Sequence, residues 1–288
     1  MTDRDRFYEE RDRRTRECGV TGVFDVPVGL VVGADAARSP NGQLATLALV
    51  NMLARLHRHL CLQIPPAPVL RPSLVPATRL DEAAAELARA IDPFTRIDVG
   101  VPCIHAVALG VDVPAGAPWY AAADGQVAVL DRRPLSFGAG DEPTLGAALA
   151  ACLAAANLLR QVQGRTLRPV RLSAWDFREG DEAGRGPQLA GQLDVGTVLQ
   201  AGAGGVGNCH AYWLREFGVR GEWRVIDRDL AALHNTNRCL GLFPRDAGWP
   251  GAQPRNKAEA AAALFGGRSE PVWFDEFDHD TFCPDLVL

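Results

Sequence analysis

The sequence predicts an α/β protein built on Rossmann-like, mostly parallel sheets with helices on both faces, in two tandem units of which the second is truncated. Three observations predict it. Strand-like apolar runs alternate with helical runs along most of the 288 residues, an order that produces parallel sheets covered by helices. The segment Gly202-Ala203-Gly204-Gly205-Val206-Gly207 lies between an expected strand and an expected helix, the setting in which a GxGxxG pattern becomes meaningful. Finally, the first part of the chain loosely repeats the second at a spacing of about 170 residues. Each reads strand, glycine-containing turn, helix, strand, connection, helix, strand.

Residues 1–17 read as a charged helical lead-in. Residues 26–35 are an apolar run ending near Gly33, expected as a buried strand. A turn-like segment (37–42) precedes a helix over 43–56, and a short strand follows at 59–65. The Pro-rich stretch 65–76 must be extended. Residues 80–93 open with acids and stop before Pro93, as a helix does. Strands are expected over 94–102 and 105–114, and a strand pair over 119–130 around Asp124-Gly125. Residues 143–164 form a long small-residue helix ended by Gly164, and the polar stretch 178–188 resembles a linker. In the second unit the order is strand, glycine turn, helix (209–219), strand (222–227), helix (255–266), strand or loop (270–278) and the start of a strand at 284–288. The expected organisation is therefore a first domain over 1–175, a linker over 176–192 and a second domain over 193–288.

Composition removes several function classes. Apolar residues make up 47% and charged residues 23%, which is globular rather than disordered. The net charge of −5 gives no basic field to draw the chain to nucleic acid or anionic lipid. No uninterrupted apolar run reaches the ~20 residues of a membrane helix, and the densely charged N-terminus is not a secretory leader. Seven scattered cysteines without CxxC pairs argue against a disulfide framework. A cytoplasmic protein without nucleic-acid or membrane partners is expected. Of the 30 basic residues one is a lysine, Lys257, and the rest are arginine. GC-rich codon usage accounts for most of that bias. A surviving lysine then marks a place where a compact point charge serves and a planar guanidinium does not.

The glycines allow a tight turn and close approach of a nucleotide, and the following helix offers free N–H groups and the positive end of its dipole. Asp227 ends the next strand, 20 residues after Gly207, where an acid can accept hydrogen bonds from ribose hydroxyls. These two features alone suggest NAD. The run that follows, Asp229, Asn235, Asn237 and Arg238, with Lys257 19 residues further on, exceeds what a dinucleotide site needs. A triphosphate needs such fixed cations and donors. No GxxxxGK[ST] loop is present, so the pattern reads as ATP on a Rossmann-type scaffold without a P-loop.

The motifs GAGGVGN, VIDRDLAALHNTNRCLGLF, the DxG segment from Asp246 to Gly248 and the lysine helix NKAEAAAAL together resemble the ThiF/MoeB-type adenylating enzymes, which include the ubiquitin-activating enzymes. The resemblance covers about residues 193–288. It implies MgATP-dependent adenylation of a C-terminal carboxylate of a ubiquitin-like or sulfur-carrier protein, with release of pyrophosphate. By motif position, Gly202, Gly204, Gly205 and Gly207 would lie against the nucleotide and Asp227 would bind its ribose. Asp229 would order the site and its metal, Asn235 and Arg238 would hold phosphates with Asn237 close by, and Lys257 would stabilise charge on the α-phosphate. Lys257 and Arg238 are thus the catalytic candidates. Extra residues, WPGAQPRN, separate the DxG segment from Lys257 relative to the usual short link and could displace that lysine. The family's metal-contacting aspartate lies just past the strand written here as PDLVL, beyond Leu288, whose Leu286-Val287-Leu288 would be a buried strand.

More faintly, residues 1–175 resemble a degenerate, inactive copy of the same domain, implying a pseudo-dimer within the chain or a homodimer. VGLVVGADAARSPNG stands in the place of the glycine loop without its glycine pattern, and CLQIP ends its strand without the ribose acid. ERDRR (10–14) resembles the arginine-bearing N-terminus of the family, so Arg14, or else Arg11, would touch the terminal phosphates. Cys209 and Cys239 read as small buried groups, His234 as structural or exposed, and the tryptophans as packing residues. His57, His59, His105, His210 and His279 show no ligand spacing, so no metal site is expected. Two other readings remain at this point: an NAD-linked oxidoreductase on the same glycine loop, and a non-catalytic partner or scaffold.

Overall fold

A computed structural model describes all residues except 114–118, 139, 141–142, 166–167, 188–192 and 280. The chain divides into two compact units. One comprises Val20–Ala190, the other Met1–Gly19 together with Gly191–Leu288. Two helices open the chain, α1 (Asp3–Arg11) and α2 (Arg13–Glu17). They belong with the C-terminal segment rather than with the first domain expected over 1–175. The physical reason is aromatic: Phe7 of α1 is fully buried and packs edge-on against Trp249 at 5.3 Å. Of the expected linker, 188–192 lie outside the described residues. The part before them is folded into the Val20–Ala190 unit, where Arg185 pairs with Asp124 at 2.6 Å and its carbonyl accepts from Gln126 N–H.

The Val20–Ala190 unit carries β1 (Val28–Val32), α3 (Ala34–Ala37), α4 (Pro40–Leu56), β2 (His59–Gln63), α5 (Leu80–Ile91), β3 (Arg96–Val99) and β4 (Ala106–Leu109). It continues with β5 (Trp119–Asp124), β6 (Val127–Asp131), α6 (Leu145–Val162) and β7 (Val170–Ser173). The sheet order is β3-β2-β1-β4-β5-β6-β7. The first five strands are parallel, and β6 and β7 add as antiparallel neighbours. The segment expected as a turn over 37–42 instead starts α4: Ser39 is the N-cap, accepting from Gly42 N–H, and Pro40 occupies the first turn, where its missing N–H costs nothing. The expected strand pair around Asp124-Gly125 is the β5–β6 hairpin. β7, four residues with the alternation Val-Arg-Leu-Ser, lies between the expected helix and linker, where the sequence predicts no strand. By length and apolarity α6 could cross a membrane, yet it packs on α4, β5 and β6 as a core helix.

The second unit carries β8 (Asp194–Ala201), α7 (Gly205–Glu216), β9 (Arg220–Ile226), α8 (Lys257–Ala262), β10 (Arg268–Glu270) and β11 (Leu286–Val287). Its parallel sheet has the order β10-β9-β8-β11. Numbered within each unit, both sheets begin 3-2-1-4, the Rossmann-like order. A core of Ala203, Ala211, Val225, Ala258, Ala261 and Ala262 presses α7, β9 and α8 together. Small side chains there let the two helices approach closely, and Trp223 stacks on Phe265 at 4.2 Å beside them. The final strand pairs with β8 as expected, but Leu286 and Val287 are 37% and 56% exposed. In this chain β11 stands at the edge of the sheet.

Candidate functional site

In open α/β sheets ligands bind beyond the carboxyl ends of the strands where the strand order reverses. In the second unit that point lies at the end of β8, between β9 and β11. The chain leaves β8 through Gly202, whose φ of +102° favours glycine. It enters α7 at Gly204, the N-cap. A Cβ at Gly207 would collide with the Gly202 carbonyl oxygen, whereas Cβ atoms at Gly202 and Gly204 would meet nothing within 4 Å. Gly207 thus closes the loop on itself, while Gly202 and Gly204 face open space. Gln200 Nε2 ties the loop by donating to the Gly202 and Gly207 carbonyls at 2.9 and 3.1 Å. The first-turn N–H groups of α7 have no intrahelical acceptor and form a ready anion site.

Asp227 follows the last residue of β9. Its Oδ2 accepts from Ala203 N–H at 2.7 Å, locking the acid against the glycine loop, and its Oδ1 accepts from Asp229 N–H at 2.8 Å. Each oxygen retains a second acceptor site for a ligand hydroxyl.

Lys257 opens α8, and its Nζ donates to Asp229 Oδ2 at 2.6 Å. The lysine side chain is 12% exposed and that of Asp229 56%. The extra residues before Lys257 do not displace it. Arg255 N–H donates to the Asp246 carbonyl at 2.8 Å and its guanidinium to Asp246 Oδ1 at 2.9 Å, pinching the insertion into a closed excursion. Asn256 then caps α8 through Ala258 N–H while donating to the Asp227 and Asp229 carbonyls at 2.8 and 3.1 Å. This buried asparagine is the positioning residue the sequence reading missed. Its signal was present, an Asn directly before a helical run.

Of the remaining candidates, Arg238 lies over the glycine loop, its Cδ 3.5 Å from where a Gly205 Cβ would stand. Asn235 is buried and spends its Oδ1 on Ala232 N–H at 2.9 Å, capping its own turn. Asn237 Nδ2 donates to Thr15 Oγ1 at 2.7 Å. Arg14 turns to Glu17 at 3.1 Å, and Arg11 is buried against Asp12 and the Phe7 and Tyr8 rings. From the lead-in it is Glu10, Arg13 and Thr15 that reach the 234–237 turn. Arg13 lies 2.9 Å and Glu10 3.3 Å from His234 Nδ1. Burial, then the Arg13 and Arg238 charges, hold the His234 imidazole below its ordinary value.

The loop is open at Gly202 and Gly204, where a phosphate would approach, and Asn208 of α7 turns its buried side chain to Gly241, whose N–H its Oδ1 accepts.

Elsewhere, one of the histidines whose sequence spacing gave no ligand pattern lies in a cluster of possible metal donors. His59, Cys61 and Asp98 bring one donor atom each within 4.8 Å of one another. Burial and the adjacent Cys103 and Asp98 push the Cys61 thiol up to about 12, so it is no nucleophile at neutral pH. The Arg96 guanidinium and the His59 ring hold Asp98 below the usual carboxylate range.

Fold and loop geometry together define a Rossmann-like α/β protein with a glycine loop at a topological switch point. The family model described as the BilD N-terminal domain matches residues 27–174. That is just over half of the chain, and the chain belongs to this family. The match falls within the Val20–Ala190 unit and does not extend to the glycine loop. No curated protein matches the chain.

Proposed function

We propose that this chain is an adenylyltransferase that activates the C-terminal carboxylate of a ubiquitin-like or sulfur-carrier protein with MgATP, as the resemblance to ThiF/MoeB-type enzymes implies. One observation carries the reading. The chain's single lysine is held by Asp229 at 2.6 Å, beside the acid that locks the glycine loop. A dehydrogenase has no use for a half-buried Lys–Asp pair at that place.

In the reaction a carboxylate oxygen bonds to the α-phosphorus, the bond to the β-phosphate bridging oxygen breaks, and pyrophosphate leaves with the acyl-adenylate formed. The protein's part is positioning and charge. Asp227 receives the ribose hydroxyls. The free N–H groups of α7 face the phosphates. Arg238, on the same loop, matches their charge. Lys257, which now donates to Asp229, would give up that contact to the α-phosphate oxygens, and Asp229 would be available to hold the Mg²⁺ that offsets phosphate charge. The Val20–Ala190 unit is the inactive copy in this reading. We place the activity in the cytoplasm; all seven cysteines being free supports a reducing compartment.

ATP–pyrophosphate exchange with candidate carrier proteins tests the proposal. Lys257→Ala is expected to lower exchange by ~10²–10³-fold, the effect of removing one charge-stabilising group, with the circular-dichroism spectrum unchanged. Exchange at the unaltered rate in that variant removes the assignment.

A further inference from the structure

The link between β3 and β4 is unusual. It has six residues, 100–105, where parallel neighbours ordinarily need a crossover of a dozen or more. It must travel sideways past β2 and β1, three strand spacings or about 14 Å. Seven helical steps reach only about 10 Å, so the link runs extended across the sheet. Cys103 lies at its centre. The Cys103 Cβ would stand 2.8 Å from a Cβ at Gly29, so the missing side chain of Gly29 is the space that Cys103 fills.

Strand register fixes what lies beside it. Gly29 of β1 pairs with Cys61 of β2, and Cys61 pairs with Asp98 of β3. His59, two residues before Cys61, shares its face because strand side chains alternate with period two. β2 and β3 therefore present imidazole, thiol and carboxylate on one face, and the link lays Cys103 beside them over Gly29, its Sγ donating to the Pro27 carbonyl at 3.2 Å, a bond a metal would replace. His59 Nε2 and Asp98 Oδ2 are 2.7 Å apart, and Cys61 is 5% exposed. Nothing in the proposed adenylation uses this cluster, which belongs to the other unit.

We propose that His59, Cys61, Asp98 and Cys103 form a binding site for a late first-row divalent cation, Zn²⁺ foremost, which clamps the short crossover to the sheet. Nitrogen, sulfur and carboxylate donors suit this class of ion. Tetrahedral coordination at ~2.0–2.3 Å places donor atoms roughly 3.3–3.8 Å apart. Three donors already lie within 4.8 Å of one another. Binding displaces the thiol protons and opens the His59–Asp98 contact, exchanging it for two metal bonds. Arg96 competes, because it donates to both oxygens of Asp98 at 3.1 and 3.0 Å from a side chain 69% exposed.

The test is a Co²⁺ titration of the full chain after chelator treatment under reducing conditions. The expected result is a thiolate-to-cobalt charge-transfer band that saturates at one equivalent and is displaced by Zn²⁺. Cys61→Ser should abolish the band or weaken binding by at least about 10-fold. Because Cys61 is buried, Asp98→Asn, at a half-exposed position, provides a second arm with the same expected loss of affinity. Cys103→Ser should weaken binding to a similar degree. Arg96→Ala should tighten it several-fold by releasing the carboxylate, an effect no merely structural role of Arg96 would give. Absence of a thiolate band in the unaltered chain overturns the proposal, as does unchanged affinity in Asp98→Asn or Cys103→Ser.

Discussion

The two units share the strand order 3-2-1-4 and differ in what fills the mouth of the first strand. In the second unit the loop after β8 is open above Gly202 and Gly204, and the acid at the end of β9 locks it from the side. In the Val20–Ala190 unit the equivalent turn carries Asp35. Its carboxylate accepts from Val111 and Asp112 N–H groups at 3.1–3.3 Å, and a Cβ at Gly33 would come within 2.5 Å of it. The chain's own anion thus occupies the place where a phosphate would sit, and the following strand ends at Gln63 rather than at an acid. The same topology thus opens its first-strand turn in one unit and fills it in the other, through Asp35 in the turn and Gln63 in place of a strand-ending acid.

The largest effect that would break this comparison is catalytic, the loss of exchange in Lys257→Ala described above. The glycines separate fold from site. Gly207→Ala should destabilise the second unit by roughly 1–3 kcal/mol, the usual cost of overpacking, seen as a lowered Tm without ligand. Gly204→Ala has ordinary φ and open space, so it should leave Tm unchanged while weakening ATP binding. In the other unit, Asp35→Ala removes the acceptor of two solvent-exposed backbone N–H groups and should cost no more than about 1 kcal/mol, and it should create no second ATP site.

A smaller effect is expected from pH. The folded His234 titrates below its unfolded value of about 6.5. The folded state then binds its proton less readily than the unfolded chain does. Its contribution to stability is complete above pH ~6.5 and is lost as pH falls through the folded value. Denaturant midpoints between pH 7.5 and 5 should fall less in His234→Gln than in the unaltered chain. Smallest is the lead-in. Arg14→Ala, an exposed i,i+3 pair with Glu17, should change stability by no more than about 0.5 kcal/mol. Arg13→Ala should perturb the His234 titration.

Much of the second unit was legible because its signals are local. Glycine spacing, a strand-ending acid and the Asn237–Arg238 run each act within one turn of chain, and Asp227 and Arg238 lie against the glycine loop after β8 while Asn237 turns to Thr15. What escaped the reading is non-local. α1 joins the C-terminal segment through Phe7 and Trp249, more than two hundred residues apart in sequence. The His59–Cys61–Asp98 cluster arises from strand register, which spacing along the chain does not reveal. Asp35 meets the N–H groups of Val111 and Asp112, just past β4, only through the fold. Asn256 is the exception, a cap whose signal is local, an Asn directly before the lysine helix.

The most direct test of the central claim is the stoichiometry of ATP binding to the full chain, measured by equilibrium dialysis for the unaltered protein, Asp227→Ala and Asp35→Ala. The account predicts one site per chain, lost in Asp227→Ala and kept in Asp35→Ala. A second site, or a single site that survives Asp227→Ala, would contradict it.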